Sequence, residues 1–260
     1  MIADAHCHLY HKRYKEDIDL VLTRARDAGV HTIVNSGVNH GTNLAVLDLA
    51  RKYKDIVKVS LGMYPVDAVV AEADLEREIE PIDVEEELCF IEKNKEKIVA
   101  VGECGLDYHA VKGKEKEQQK VFQKVIELAE KMRKPLVVHS RKAECDVLDM
   151  IESSRLKNVV LHSFMPSLKI VKRAEDLGCF FSIPTIVTRL QHFQLVVEMV
   201  SLSNILTETD GPFLSYVKDG RSEPAHIVEA VKKISEIKKI EREEAEKIIF
   251  SNFKKIFLKK

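Results

Sequence analysis

Short apolar runs alternate with longer amphipathic segments through nearly the whole chain. Each run has four to six residues, rich in Val, Ile, Leu and Ala, which is typical of strands that are buried on both faces. The pattern predicts eight strands, at Ile2–His6, Thr32–Ser36, Val57–Gly62, Ile98–Glu103, Pro135–His139, Val159–His162, Cys179–Ile183 and Asn204–Thr209.

The segments between these runs have helical periodicity. It is clearest at Lys116–Lys131, where apolar residues recur at helix spacing among Lys, Glu and Gln. Two further helices are predicted at Glu223–Lys238 and Glu241–Phe257. The most acidic stretch, Glu72–Glu87, is interpreted as a solvated loop and the start of a helix.

Alternating strands and helices with continuous apolar strands predict the α/β class and a parallel sheet. Eight strands favour closure into a (β/α)8 TIM barrel, formed by residues 1–260 as a single domain. The alternative is an open doubly wound sheet. It is disfavoured because no G-x-G-x-x-G follows the first predicted strand.

Histidines and acids occur where the predicted strands begin and end. Asp4, His6 and His8 occupy alternate positions, so an extended chain is expected to turn all three to one face. Further acids and histidines come at the ends of later apolar runs, namely Glu103, His139, His162 and Asp210.

In a parallel barrel the carboxyl ends of the strands meet in one mouth. A single histidine at a strand end is usually only a polar residue that meets solvent, but convergence from five strands favours a metal site. Imidazoles with carboxylates suit Zn, Mn, Fe or Co, and Mg less naturally. Two divalent ions about 3.5 to 4 Å apart, bridged by a carboxylate, would use the whole set.

The composition limits where the protein acts and what it attracts. There are 41 basic and 42 acidic side chains and a formal charge of -1, so binding of nucleic acid must depend on local features. Five scattered cysteines without C-x-x-C spacing indicate reduced thiols and a cytoplasmic location. No apolar run approaches the roughly 18 to 20 residues that span a bilayer, so no membrane insertion is expected.

Several motifs resemble the TatD family of metal-dependent deoxyribonucleases, which have amidohydrolase-type barrels. The resemblance runs through nearly the whole chain, and the order and spacing of the motifs make it specific. Those that carry it best are Asp4-Ala-His6-Cys-His8, Val101-Gly-Glu103-Cys-Gly105-Leu-Asp107-Tyr108, Pro135-Leu-x-x-His139-x-Arg141 and Glu208-Thr-Asp210-x-Pro212.

The resemblance implies a metal-dependent nuclease and assigns parts to individual residues. His6, His8, Glu103 and Asp210 would hold one ion, and Glu103, His139 and His162 the other. Asp210 is expected to accept a proton from the attacking water, with Glu103 as the metal bridge.

Residues near the expected metal ligands are expected to orient a ligand or to contact the substrate. Asp4 is expected to orient a ligand from behind. Arg141 is a candidate phosphate contact, with an ion pair inside its loop as the alternative. The expected substrate is DNA, as a single strand or at strand ends.

Three departures from the family pattern lie in loops expected to face substrate. Tyr64 stands where the family usually has the histidine of Gly-x-His-Pro, and it is expected to contact substrate through its hydroxyl. Ser222 replaces an asparagine before Glu-Pro. The family's His-x-Phe-Ser-Gly is His162-Ser-Phe164-Met165-Pro166 here. The chain therefore resembles a divergent branch of the family.

Two other functions fit parts of the pattern. Related barrels that hydrolyse cyclic amides or lactones often bridge their metals with a carboxylated lysine. Here Glu103 takes that position, and no lysine ends the fourth predicted strand. A non-catalytic metal-binding protein is the second alternative, supported only by Tyr64. No obligate protein partner is inferred, and the oligomeric state is left open.

Overall fold

The computed structural model describes residues 1–69 and 82–258. Eight parallel strands form one sheet in which each strand lies beside its neighbours in sequence. The strands are β1 (Ile2–Cys7), β2 (Val30–Ser36), β3 (Val57–Leu61), β4 (Ala100–Asp107), β5 (Leu136–Arg141), β6 (Val159–His162), β7 (Phe180–Pro184) and β8 (Ile205–Glu208).

Helices connect the strands and follow the last one. Within the described ranges they are α1 (Ile18–Asp27), α2 (His40–Lys52), α3 (Pro65–Ala68), α4 (Val84–Lys93), α5 (Glu115–Met132), α6 (Glu144–Glu152), α7 (Leu168–Asp176), α8 (Gln191–Met199), α9 (Ile227–Lys238) and α10 (Arg242–Phe257). None of the helices in the described part of the chain combines the length and apolar character needed to cross a membrane.

The sheet closes between its first and last strands. The Thr207 hydroxyl donates to the Ala3 carbonyl at 3.1 Å. Beyond β8, the Asp210 amide donates to the His6 carbonyl at 3.0 Å, and the His8 amide donates to Gly211 at 2.8 Å. These bonds join β8 to β1, so the predicted (β/α)8 barrel is confirmed and the open sheet is wrong.

The barrel is filled by apolar side chains from seven strands and from α10. The strand residues are mostly small or β-branched, and four large apolar residues of α10 pack against them. Because α10 also contacts the segment before β8, it covers the end at which the strands begin. The inner cluster consists of Ala3, Ala5, Val34, Ala100, Val137, Val160, Phe180, Leu206, Phe250, Phe253, Ile256 and Phe257.

All eight predicted strands exist, and the largest error concerns β4. The prediction ended this strand at Glu103, whereas it continues to Asp107. The extension pairs with β5, with Gly105 opposite His139 and Asp107 opposite Arg141. Glu103 therefore lies inside a long strand, and Asp107 is the residue at its end.

The predicted helices also exist with small shifts. The helix expected from Glu223 begins at Ile227, because Pro224 starts a separate 3-10 turn. Of the acidic stretch Glu72–Glu87, residues 72–81 lie outside the described residues. The remainder begins α4, but Glu87 is buried rather than solvated, accepting hydrogen bonds from His40 and Asn43.

Gly62, just after β3, allows the backbone of β4 to approach closely. A Cβ atom at this position would lie 2.2 Å from the Glu103 carbonyl oxygen and 2.4 Å from the Gly102 carbonyl carbon. Neither contact is possible without a backbone shift. The absence of a side chain at Gly62 is therefore part of what positions Glu103.

We expect Gly62→Ala to destabilise the fold by about 2 to 3 kcal/mol, the cost of overpacking against backbone. Gly178→Ala is the matched control. A Cβ at Gly178 meets open space, and only its φ of +78° opposes the substitution, at about 1 kcal/mol. Denaturant unfolding measures both, and equal destabilisation of the two variants would contradict the proposed close approach.

Candidate metal centre

Six side chains singled out from the sequence converge at the mouth of the barrel. They come from five strands or the residues just beyond them, and the cluster is largely buried. They form three overlapping groups that could each hold a metal ion, in which the ligand atoms lie within 4.8 Å of one another. The six residues are His6, His8, Glu103, His139, His162 and Asp210.

The first group surrounds one oxygen of Glu103. Glu103 Oε2 lies 3.3 Å from His6 Nε2 and 3.4 Å from His8 Nε2. The two imidazole nitrogens are 3.1 Å apart. Asp210 Oδ1 lies 3.4 Å from His8 Nε2 and 3.7 Å from His6 Nε2. We therefore count Asp210 as the fourth member of this first donor group.

The second group surrounds the other oxygen of the same carboxylate. Glu103 Oε1 lies 3.2 Å from His139 Nδ1 and 3.5 Å from His162 Nε2. His162 also stacks on His6, with ring centroids 4.1 Å apart, and forms a further group with His6 and Asp210. Glu103 therefore faces both groups at once.

The spacing and chemistry of these atoms fit divalent metal ions. A tetrahedral ion with ligands at about 2.0 to 2.1 Å requires ligand atoms about 3.4 Å apart, close to the separations in the first group. The buried carboxylates of Glu103 and Asp210 have no lysine or arginine partner among the described residues. A bound cation would offset the cost of burying such a set of carboxylates.

The same contacts set the protonation of the cluster. Burial raises the pKa of Glu103, but the hydrogen bond from His139 and the charge of His162 outweigh it, so this pKa lies well below its usual range. Burial lowers the pKa of His162, but the charges of Glu208 and Glu103 outweigh it and raise this pKa to about 10. Without metal, the cluster therefore balances its negative charge with protons.

Asp4 contacts the backbone behind the cluster rather than the ligand atoms, which is the position expected of a residue that orients a ligand. The pairing of β1 with β2 shifts register between Asp4 and Cys7, so regular alternation does not hold along β1. Asp4 Oδ1 accepts hydrogen bonds from the backbone amides of His6, at 3.2 Å, and Thr209, at 3.0 Å. Burial raises the pKa of Asp4 to about 8, although its bonds to Thr209 oppose this. Asp4 therefore contacts the site through the backbone of β1 and of the chain after β8.

His6 and His8, at the end of β1 and just beyond it, are oriented by neutral groups, mainly those of Ser36 on β2. His6 Nδ1 lies 3.2 Å from the Ser36 hydroxyl oxygen. His8 Nδ1 lies 3.0 Å from the Ser36 carbonyl, to which it donates, and 3.2 Å from the Tyr10 hydroxyl. In both rings these contacts leave Nε2 directed at Glu103.

Asp107 and Glu208 contact the other two histidines, and neither was predicted from the sequence to belong to the site. His139 Nε2 lies 3.1 Å from Asp107 Oδ2, and His162 Nδ1 lies 3.3 Å from Glu208 Oε1. Both acids are fully buried. They end β4 and β8, so the pattern that selected the other ligands would have found them if the ends of these strands had been placed correctly.

Tyr64 and Arg141, the predicted substrate contacts, lie at the rim. The Tyr64 hydroxyl donates to Asp107 Oδ2 at 2.9 Å and lies 3.3 Å from His139 Nε2. The only hydrogen that this hydroxyl can donate is therefore already in a hydrogen bond within the protein. The side chain of Arg141, the last residue of β5, is exposed. It makes no ion pair with any described residue, so the alternative of an ion pair in its loop finds no support there.

A closed parallel barrel with buried imidazoles and carboxylates at its mouth has the architecture of a metal-dependent hydrolase. The model of the TatD related DNase family matches residues 3–258. The chain therefore belongs to this family, whose members are hydrolases. The membership of the TatD family that the sequence motifs indicated is therefore confirmed.

Similar proteins share nearly the whole length of the chain. The deoxyribonuclease TATDN3 of Homo sapiens is 32% identical over 262 residues, which covers 99% of this chain and 95% of that protein. The uncharacterized metal-dependent hydrolase MJ1582 of Methanocaldococcus jannaschii is 32% identical over 255 residues, covering 98% and 96%. The crystal structure of YjjV, a TatD homologue from Escherichia coli, superposes with a TM-score of 0.87 at 23% identity, covering 100% and 98%.

Metal binding is expected to release protons, because a coordinating imidazole must be neutral. Each ring nitrogen of His162 faces a carboxylate oxygen and its pKa is raised to about 10, so we expect a charged ring at pH 7 in the folded, metal-free protein. An ion thus competes with protons, and its affinity falls as the pH falls. Titration calorimetry with Zn²⁺ at pH 7, in buffers of different ionisation enthalpy, should show release of at least one proton per chain. Heats that do not depend on the buffer would contradict this account.

Proposed function

We propose that the protein is a divalent-metal-dependent deoxyribonuclease that hydrolyses phosphodiester bonds at a two-ion centre. The observation that carries the proposal is the position of Glu103, whose two oxygens face separate groups of donors. Such a carboxylate suits two ions of the Zn, Mn, Fe, Co or Mg kind. His6, His8, Glu103 and Asp210 would hold one ion, and Glu103, His139 and His162 the other.

The protein's own residues divide the remaining chemistry. When bound, the ions supply a water of lowered pKa and offset charge on the phosphate oxygens. Asp210 accepts the proton of the attacking water, since its side chain is 13% exposed and that of Glu103 only 5%. Glu103 remains ionised and keeps the two donor groups at a fixed separation.

The substrate contacts follow from the rim of the barrel. Arg141, exposed and two residues beyond His139, is placed to pair with a phosphate of the bound strand. Tyr64 faces the same side through the Asp107 and His139 contacts, and it would meet substrate as a hydrogen-bond acceptor while its own hydroxyl hydrogen is donated to Asp107. Because the net charge is -1, attraction for DNA is local. We therefore infer a preference for single strands or strand ends over duplex.

The alternative of a cyclic amidase or lactonase is less well supported. Its usual bridge, a carboxylated lysine, has no counterpart here, because Glu103 lies between the two donor groups. A non-catalytic role is also disfavoured, because Asp210 is a partly accessible carboxylate within the cluster rather than a sealed structural ligand.

We expect Asp210→Asn, which preserves shape, to lower DNA cleavage at least about 100-fold, the usual contribution of a general base. End-labelled single-stranded and duplex DNA, with metal-loaded protein, provide the assay. Circular dichroism checks the fold of the variant. Unchanged turnover in this variant would exclude the assigned role, and wild-type turnover confined to dihydropyrimidines or lactones would exclude the nuclease function.

Arg141→Ala should raise the KM for single-stranded DNA by about 10-fold or more with little change in kcat, because a charge-assisted hydrogen bond contributes about 1.5 to 3 kcal/mol. Arg155→Ala is the matched control. Arg155 is also exposed but lies before β6, at the opposite end of the barrel, and its loss should leave KM unchanged. An equal effect of both substitutions would argue against a specific contact at Arg141.

A further inference from the structure

The four imidazoles of the cluster differ in what holds the ring nitrogen that faces away from Glu103. His6 and His8 are held by uncharged atoms, the hydroxyl and carbonyl oxygens of Ser36. His139 and His162 are each held by a carboxylate. The difference separates the two donor groups completely, because the first two rings face Glu103 Oε2 and the other two face Oε1.

The carboxylate behind His139 is itself rigidly held. Asp107 Oδ1 accepts hydrogen bonds from the backbone amides of His109, at 3.0 Å, and Ala110, at 2.8 Å. Its other oxygen, Oδ2, is left to face His139 Nε2 and the Tyr64 hydroxyl. The end of β4 and the turn that follows it therefore fix the direction of this imidazole.

The carboxylate behind His162 is held in the same way by other elements. Glu208 Oε1 accepts from the Ser163 hydroxyl at 2.5 Å, and Oε2 accepts a short hydrogen bond from the Ser182 hydroxyl. These residues lie on or beside β6, β7 and β8. In the described part of the chain, Glu208 has no lysine or arginine partner, and His162 is the only imidazole that it contacts.

The two donor groups also differ in their direct charge. The first has four protein ligand atoms, with carboxylate oxygens from both Glu103 and Asp210. The second has three, and its only carboxylate oxygen is Glu103 Oε1. A carboxylate that accepts from the far nitrogen of an imidazole fixes its tautomer and makes the near nitrogen a better metal donor. The second donor group has fewer charged ligands, and its two imidazoles are the ones that carboxylates hold from behind.

We propose that Asp107 and Glu208 are positioning residues for the second ion, the one held by Glu103, His139 and His162, and that they set its affinity independently of the first ion. This inference rests on the proposed two-ion function. A purely structural role for the two acids would weaken the fold, and with it both ions together. A positioning role weakens one ion and spares the other.

The test compares Zn²⁺ binding to the metal-stripped full chain and to Asp107→Asn and Glu208→Gln. Both substitutions keep the size of the side chain and remove its charge. Titration calorimetry gives the two affinities, and elemental analysis after gel filtration gives the number of ions retained. We expect the wild type to hold two ions. Each variant should hold the second about 10- to 100-fold more weakly and the first within about threefold of wild type.

Ser36→Ala serves as the control, because it removes the uncharged partner of His6. It should leave the affinity of the second ion unchanged. Thermal unfolding of each metal-free variant shows whether it is folded. Since the two acids lie on different strands, Glu208→Gln decides the question if Asp107→Asn does not fold.

Three results would overturn the inference. They are wild-type affinity for both ions in a folded variant, equal weakening of both ions, and loss of the second ion in Ser36→Ala as large as in the acid variants. If the wild type binds two ions and any of these three results is found, the inference fails but the proposed two-ion function does not. A wild type that binds only one ion would instead contradict the two-ion function, and the inference with it.

Discussion

The two oxygens of one buried carboxylate, Glu103, face two separate sets of ligands, and the surrounding structure serves this geometry. One oxygen lies near His6 and His8, and the other lies near His139 and His162. No described lysine or arginine neutralises it. Burying an unpaired carboxylate is costly, so the arrangement requires cations or protons from the imidazoles. The absence of a side chain at Gly62 allows the backbone carrying Glu103 to pack against the chain after β3.

The barrel accounts for how such distant residues meet. Parallel strands joined by helices bring their carboxyl ends to one mouth, while α10 packs under the other end. The backbone bonds from Asp210 to His6 and from His8 to Gly211 close the ring at the point where the first donor group is assembled. Closure of the fold and assembly of the site therefore depend on the same few residues.

Much of this could be predicted from the sequence, because apolar runs locate buried strands and an acid or histidine at the end of a run locates the mouth. The predictions that failed depended on where a strand really ends or on its register. Asp107 was missed because β4 continues beyond Glu103, and the regular alternation expected for Asp4, His6 and His8 does not hold because the register of β1 shifts. The pairing of Ser36 with His6 and of Glu208 with His162 joins side chains of different strands, and periodicity along the chain does not show which side chains meet. The hydrogen bond from the Tyr64 hydroxyl to Asp107 is a contact of the same kind.

The most direct test of this account is anomalous X-ray diffraction from crystals of the protein loaded with Zn²⁺. We predict two anomalous peaks per chain, about 3.5 to 4 Å apart, one on each side of the Glu103 carboxylate. The first should lie among His6, His8 and Asp210, and the second between His139 and His162. A single peak, or peaks that do not share Glu103, would show that this carboxylate does not bridge two ions.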